Sequence, residues 1–417
     1  MMASLNVLTT RCCIVGGGPA GMMLGLLLAR AGVEVLVLEK HADFLRDFRG
    51  DTVHPSTLQV MEELGLLDRF LARPHDAVQV VRAVIGNSEV AIADFSRLTT
   101  RCKFIAMVPQ WEFLDFLRDE AEAFSTFSLM QNAEVTGVLQ ARGRVTGVSV
   151  ATSRGPRQVM ADLVIGADGR HSVVRQSAGL PVRGLGAPID VLWMRLPRLP
   201  GDSPATGGRI ARGLFLAVIN RGHYWQCAYV IPKGGLEALR ARGLEAFRAD
   251  LVRLVPTWAD RVGQLATWED IKLLTVTVDR LEQWWRPGLL CLGDAAHAMS
   301  PLGGVGINLA IQDAVAAANL LAEALADAEV SAEALTSLLA KVQKRRLLPA
   351  RITQAVQVAI QNRVLAPVLA SASGHDDTPL AVPWPLRLMN RFPVLLGLPA
   401  YAVGIGVRPE HVRSPRV

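Results

Sequence analysis

The sequence predicts an α/β protein, with a parallel Rossmann-like sheet, a second and antiparallel sheet, and helices at the carboxyl end. Three observations predict it. Residues 11–39 read as strand, glycine turn, helix, strand and acidic residue. Residues 289–321 read as strand, Gly-Asp, glycine loop and helix. Between the two, apolar and polar residues alternate with the period of a sheet buried on one side.

The chain has 417 residues, enough for two or three domains and a large core. Half of it is hydrophobic and the mean hydropathy is +0.28. Charges break the apolar runs, and none reaches the roughly 20 residues of a membrane span. The first apolar run leads directly into a glycine turn, so the expectation is a cytoplasmic protein, with peripheral membrane contact left open. The net charge is +6. The basic residues are scattered, without a stripe or interleaved aromatics, which argues against a nucleic-acid partner. Cys12, Cys13, Cys102, Cys227 and Cys291 form no CxxC pair, so free buried thiols are expected rather than disulfides or a metal site.

In chain order, Arg11–Val15 is a short strand that enters Gly16-Gly17-Gly18-Pro19-Ala20-Gly21. A helix follows to about Ala31, then a strand from Val33 to Leu38 that closes on Glu39 and Lys40. This is GxGxxG in its required context. Gly16 makes the tight turn, Gly18 lets a pyrophosphate approach, and Gly21 lets helix and strand pack closely. Glu39 suits the ribose hydroxyls of an adenosine. A polar loop with Arg49, Asp51 and His54 follows, where a simple nicotinamide enzyme would continue into another crossover, and then a helix from Gln59 to Leu67. Arg49 suits a flavin ring or a phosphate, or else a surface ion pair. Residues 77–95 alternate as sheet around Gly86-Asn87. Gln110 begins a helix and either caps it or meets a cofactor. Residues 133–150 form a hairpin turning at Arg142-Gly143.

Leu289–Leu292 reads as a buried parallel strand, with Gly293 and Asp294 at its end. Pro301, Gly303, Gly304, Val305 and Gly306 form a loop, and the helix starts near Gly306, Ile307 and Asn308. Unpaired N–H groups and the helix dipole favour an anionic ligand edge there.

DLVIGADGRHSVVR at Asp162–Arg175 and CLGDAAHAMSPLGGVGINLAIQDA at Cys291–Ala314, together with Gly16–Gly21, resemble the three motifs of p-hydroxybenzoate hydroxylase-like flavoprotein monooxygenases, in the expected order. The resemblance covers roughly residues 10–350. It implies that FAD is held by Gly16, Gly18, Pro19, Ala20, Gly21, Glu39, Lys40, Arg49, Gln110, Asp168, Gly293 and Asp294. Pro301, Gly304, Val305, Gly306, Ile307 and Asn308 would line the ring system. Asp168 is linked as well to the electron donor, NADPH or NADH, and His297 is expected to be structural. O2 would add at flavin C4a, and the resulting hydroperoxide would pass one oxygen to an aromatic, quinone-like or otherwise lipophilic small molecule. The rivals are an FAD-dependent reductase or dehydrogenase and a non-catalytic flavin carrier.

The implied division assigns residues 8–75, 100–178 and 280–345 to FAD, residues 76–99 and 179–279 to a substrate-binding sheet, and residues 346–417 to a C-terminal helical segment. Strands are expected at Val191–Arg195, Leu214–Ile219, Tyr224–Ile231 and Ile271–Val278, and helix over Leu236–Val255. Trp193, Phe215, Tyr224, Trp225 and Tyr229 could line the pocket, half of them facing away. His54, His223, Tyr224 and Tyr229 are candidate bases or proton relays. Helices are expected over Ala332–Leu348 and from Ala350 to about Ala370, separated at Pro349. Pro383–Gly406 is either a cap on the pocket or a membrane-surface patch. Oligomeric state is not legible.

Overall fold

A computed structural model describes residues 6–45, 52–203, 205–371 and 380–417. Its organising element is a sheet whose central strands come from distant parts of the chain. Spatially the order is Trp285–Arg286, Leu289–Cys291, Gly155–Gly166, Asn6–Val15, Val35–Leu38 and Phe127–Met130. From Leu289–Cys291 to Phe127–Met130 all neighbours are parallel. Parallel strands covered on both faces need apolar side chains throughout, and Cys12, Cys13, Ile14, Leu163, Val164 and Ile165 are fully buried. The hairpin Ala133–Ala141 and Arg144–Thr152 extends the sheet antiparallel to the first half of Gly155–Gly166. Its turn uses left-handed Arg142 and Gly143, the twist that a two-residue hairpin loop requires.

Helices Pro19–Arg30 and Val305–Ala326 pack against each other and the sheet, and both are largely buried. The helix expected from Gln59 begins earlier, at Pro55, with His54 as its N-cap. Proline suits a first helical position because the missing N–H has no intrahelical partner there in any case.

The second sheet has the order Lys272–Leu274, Ile189–Pro197, Tyr224–Pro232, Leu214–Asn220, Gly207–Ala211, Val80–Ile85 and Ser88–Asp94. It is antiparallel apart from Gly207–Ala211, which runs parallel to Val80–Ile85. Asp76–Val78 joins Ile105–Met107 and Thr52–Val53 in a separate small sheet. Only Lys272–Leu274 of the expected Ile271–Val278 strand pairs, and Leu236–Val255 is two helices broken at Gly243, which has φ +86°.

Residues 332–417 depart most from expectation. Ala332–Ile360 is one helix that passes straight through Pro349. Its buried face, which includes Leu339, Val342, Arg346, Ala350 and Gln354, holds both halves in line despite the lost hydrogen bond. Residues 408–417 are not helical. They run back over the parallel-sheet half, where the Val417 amide donates to the Arg30 carbonyl at 3.1 Å and the amides of Arg413 and Ser414 donate to the side chain of Asn319.

Candidate active site

Four parallel strands end side by side and are stitched together at those ends. Leu292 N–H donates to Gly166 C=O at 2.9 Å, Ala167 N–H to Val15 C=O at 2.8 Å, and Gly16 N–H to Leu38 C=O at 2.8 Å. The carboxyl edge therefore places Asp294, Asp168, the Gly16–Gly21 turn and Glu39 in a row. The sequence scattered these over 279 positions, from residue 16 to residue 294. Strand adjacency alone brings them together, at the position where open α/β sheets bind ligands.

The glycine turn separates protein packing from ligand space. A Cβ on Gly21 would sit 2.0 Å from the Gly16 carbonyl oxygen, so Gly21 is required for the turn to close on the helix. A Cβ on Gly18 would meet nothing nearer than the Ala167 oxygen at 4.0 Å, so nothing in the protein demands glycine there. The space is left for a ligand at the start of helix Pro19–Arg30, which no side chain caps. Glu39 is buried, and its two oxygens accept from Gly17 N–H and His41 N–H, both at 3.0 Å. It braces the turn from the end of the neighbouring strand. Lys40 is exposed, and Gln110 is half-buried as the first residue of its helix, after Pro109.

Asp168 has one carboxylate oxygen accepting from Val174 N–H at 3.1 Å, while the other is buried with no hydrogen-bond partner. Burial raises its pKa, partly offset by hydrogen bonds from Ser172 and backbone amides. Asp294 is about one-third exposed and meets Arg170 only loosely, at 3.6 Å. Arg175 ties the two motifs together. Its buried guanidinium pairs with Asp279 at 3.3 Å and donates to the Ala295 carbonyl at 3.3 Å. Gly293 lies where the two core helices meet, with Ala310 and Ala20 within 3.4 Å of any Cβ added there.

Gly303 and Gly304 are both left-handed and lead into helix Val305–Ala326. A Cβ on Gly304 would lie 2.3 Å from Thr52 Oγ1, so the loop is held hard against the small sheet. Val305, Gly306 and Ile307 form the first turn, which has no side-chain cap, and a Cβ on Gly306 would meet open space. Pro301 precedes the loop and is half-buried. The side chain of Asn308 is fully engaged within the protein. Its Oδ1 accepts from His54 N–H at 2.8 Å and Thr57 Oγ1–H at 2.7 Å, and its Nδ2 donates to the carbonyls of Thr52 and Gly304. Its backbone remains for a cofactor at the start of the helix.

The four candidate bases divide. His54 is completely buried, and its Nδ1 lies 2.8 Å from the Val403 carbonyl, so Nδ1 carries the proton and donates. Its Nε2 has no partner and no accessible surface, and burial lowers the pKa to about 4. Enclosed on all sides and held through Nδ1, His54 acts as a brace between its helix and the Val403 carbonyl. Tyr229 lies on the far face of the sheet, with its ring 5.1 Å from Phe247 and its hydroxyl 3.2 Å from Asp250. Trp225 is on that face too, with Nε1 donating to Asp202 at 3.1 Å. His223 is exposed in a hairpin turn. Tyr224 is half-buried on the opposite face, with the Arg195 guanidinium 5.2 Å from its ring centroid. Arg49 lies outside the described residues.

Sequence reasoning missed a buried charge network beneath the second motif. His297 Nε2 lies 2.6 Å from Asp313, which accepts from Arg346 Nε at 2.8 Å, and Arg346 reaches Glu410 at 3.4 Å. Burial pushes Asp313 up, but the charges and hydrogen bonds of His297 and Arg346 hold it below the usual carboxylate range. His297 is thus a structural residue. An Asp in the middle of an apolar helix, followed by an Arg in the next helix, was the available signal.

The space above Gly18, the orphaned Asp168 oxygen, the available Asp294 and the uncapped loop helix together fit FAD, with its pyrophosphate at the first glycine turn and its ring at the second. The family model for an FAD binding domain matches residues 9–356. The chain is 32% identical to 6-methylpretetramide 4-monooxygenase of Streptomyces rimosus, over 87% of this chain and 88% of that one. It is 30% identical to the rifampicin monooxygenase of Streptomyces venezuelae, over 72% of this chain but only 61% of that longer one. Among solved structures it resembles PqsL of Pseudomonas aeruginosa, a probable FAD-dependent monooxygenase, with a TM-score of 0.72 at 23% identity, over 87% of this chain and 98% of that one. The chain belongs to this FAD-binding family and is an FAD-dependent monooxygenase of the p-hydroxybenzoate hydroxylase type.

Proposed function

We propose that the protein uses NADPH or NADH and O2 to hydroxylate a fused-ring phenolic or quinone-like substrate. The apolar inner face of the second sheet, which meets the second glycine loop, carries this reading. Trp193, Phe215 and Ala217 project from the inner face of the second sheet and pack in one cluster with Leu302 of the loop and with Leu365 and Leu369. By strand register Arg195 and Gln226 continue the same face beyond Trp193 and Ala228, and Arg221 donates to Gln226 at 3.2 Å. That face is thus apolar along its length and polar at one end, which suits several fused rings bearing oxygen at an edge. The relative named for a pretetramide supports the same substrate class.

FAD, when bound, supplies the redox chemistry, taking a hydride from the nicotinamide and activating O2 for transfer of one oxygen atom. The protein supplies placement and field. The first-turn N–H groups of Val305, Gly306 and Ile307 put fixed positive potential where negative charge collects on a reduced flavin ring. Pro301, Leu302, Trp193 and Phe215 keep water from the reacting face. Of the four candidate groups, Tyr224 is half-buried on this same face beside Arg195, and the two are the groups placed to orient a substrate oxygen.

The test is NADPH and NADH consumption by the purified holoprotein, with fused-ring phenols beside single-ring phenols, and isotope-labelled O2. Stimulation by fused-ring phenols with one labelled oxygen in the product is expected. Anaerobic turnover with an artificial acceptor and no oxygen in the product would instead identify a reductase.

A further inference from the structure

Between helix Ala332–Ile360 and the tail at residues 408–417, residues 380–407 are well anchored on one side and exposed on the other. The inner side is fixed. Asn390 makes a two-way hydrogen bond with the backbone of Ala91, accepting from its N–H and donating to its carbonyl, both at 2.9 Å. This closes the outer edge of strand Ser88–Asp94, which would otherwise be free to pair with another chain. Leu386 packs with Ala83, Ile85 and Val90. Helix Gly397–Gly404 places Ala400 and Val403 against Phe95, Leu98 and Met107.

The outer side reads differently. In helix Trp384–Arg391, Trp384, Arg387, Leu388 and Arg391 fall at i, i+3, i+4 and i+7 and share one exposed face. Trp384 is 69% exposed, Phe392 54%, Val394 69%, Leu398 69% and Tyr401 53%. Large apolar side chains held in water on a rigid support mark a surface that another phase or partner covers.

We infer that the Trp384–Tyr401 segment docks on an anionic phospholipid bilayer. Two observations select lipid. From Thr378 to Pro409 the sequence has no Asp or Glu, while it carries Arg387, Arg391 and Arg408. That one-sided charge complements an anionic headgroup layer. The exposed apolar residues include Trp, Phe and Tyr, with arginines interleaved on the same helix face, which is the composition of a helix lying in the interface. The contact is peripheral. The one helix among the described residues long and apolar enough to span a bilayer, Leu302–Ala326, is mostly buried inside the fold. The last helix of this region, Gly397–Gly404, meets the candidate active site on its inner side, because the Val403 carbonyl holds His54 and the Val403 side chain lies within 3.9 Å of where a Cβ on Gly303 would be. One helix thickness therefore separates the lipid-facing surface from the second glycine loop, and a lipophilic molecule has a short route between them. This inference stands apart from the hydroxylation reading.

The experiment is co-sedimentation of the purified holoprotein with phosphatidylcholine vesicles and with phosphatidylcholine–phosphatidylglycerol vesicles, at low and high salt. Partition onto the anionic vesicles, weakened by salt, is expected. The double variant Arg387→Gln/Arg391→Gln should lower it roughly 30-fold, at about 1 kcal/mol per arginine. Trp384→Ser/Phe392→Ser should lower it roughly tenfold or more, with flavin content and Tm unchanged. No partition onto either vesicle, or partition that ignores both double variants, would overturn the inference. So would light scattering that shows a dimer which Trp384→Ser/Phe392→Ser dissociates, since a second copy would then cover this face.

Discussion

The burial of His54 gives the stability of this protein a pH dependence of definite sign. The folded protein holds its imidazole neutral, because burial lowers the pKa to about 4. The unfolded chain restores it to about 6.5. Between these values the unfolded state binds more protons, so stability rises with pH and is lost on acidification. From pH 7.5 to pH 5 the loss from this one group is about 2 kcal/mol, and it reaches about 3 kcal/mol at pH 4. For a chain of 417 residues 2 kcal/mol corresponds to about 2 °C in Tm. The comparison is with His54→Asn, whose amide can still donate to the Val403 carbonyl but does not titrate. Any packing cost of the substitution is the same at both pH values and cancels in the difference. Thermal and urea unfolding at the two pH values should show wild type losing about 2 kcal/mol more than the variant. Equal losses would refute the claim that His54 is folded in a neutral, enclosed state, and would reopen it as a group that meets solvent or substrate.

Further outcomes follow from the two glycine loops and the charge network. Gly18→Val should weaken FAD binding at least tenfold while the apoprotein keeps its Tm, since the new side chain meets only ligand space. Gly21→Ala should instead cost folded protein, because its Cβ would collide with the Gly16 carbonyl; flavin fluorescence and soluble yield separate the two. Asp313→Asn leaves Arg346 buried without its full counter-charge. Unfolding should show a loss of about 3–5 kcal/mol.

The first glycine turn was legible because its signal is local: spacing, a helix period and an acidic residue on the next strand all fall within thirty positions. The convergence of the three motifs was legible through resemblance, and the structure supplies the reason in the adjacency of strands 6–15, 155–166 and 289–291. What escaped was decided by tertiary contacts. Alternation along Tyr224–Pro232 shows that the strand has two faces, but the helix carrying Phe247 determines that Tyr229 points outward. Pro349 argues for a break by local rules, yet burial of residues on both sides keeps the helix whole. Asn308 reads as a ligand-facing residue at a helix start, and its partners Thr52, His54 and Thr57 come from 250 or more positions away. The start at Pro55 was visible in principle, as proline in a first turn.

The stitching of the carboxyl tail has a consequence for how the molecule is made. The carboxylate of Asp313 is satisfied by Arg346, which in turn rests on Glu410, and the strand closing the nucleotide site comes from residues 289–291. During synthesis the glycine turn emerges first, yet the neighbours that complete its sheet lie some 150 and 270 positions later. The high sequence separation of these contacts makes closure slow, and the early βαβ unit waits with apolar strand edges open. Nascent chains of this protein are therefore most vulnerable to aggregation before residue 410 leaves the ribosome, and FAD supplied during translation should raise the yield by capturing each chain as soon as its cradle closes.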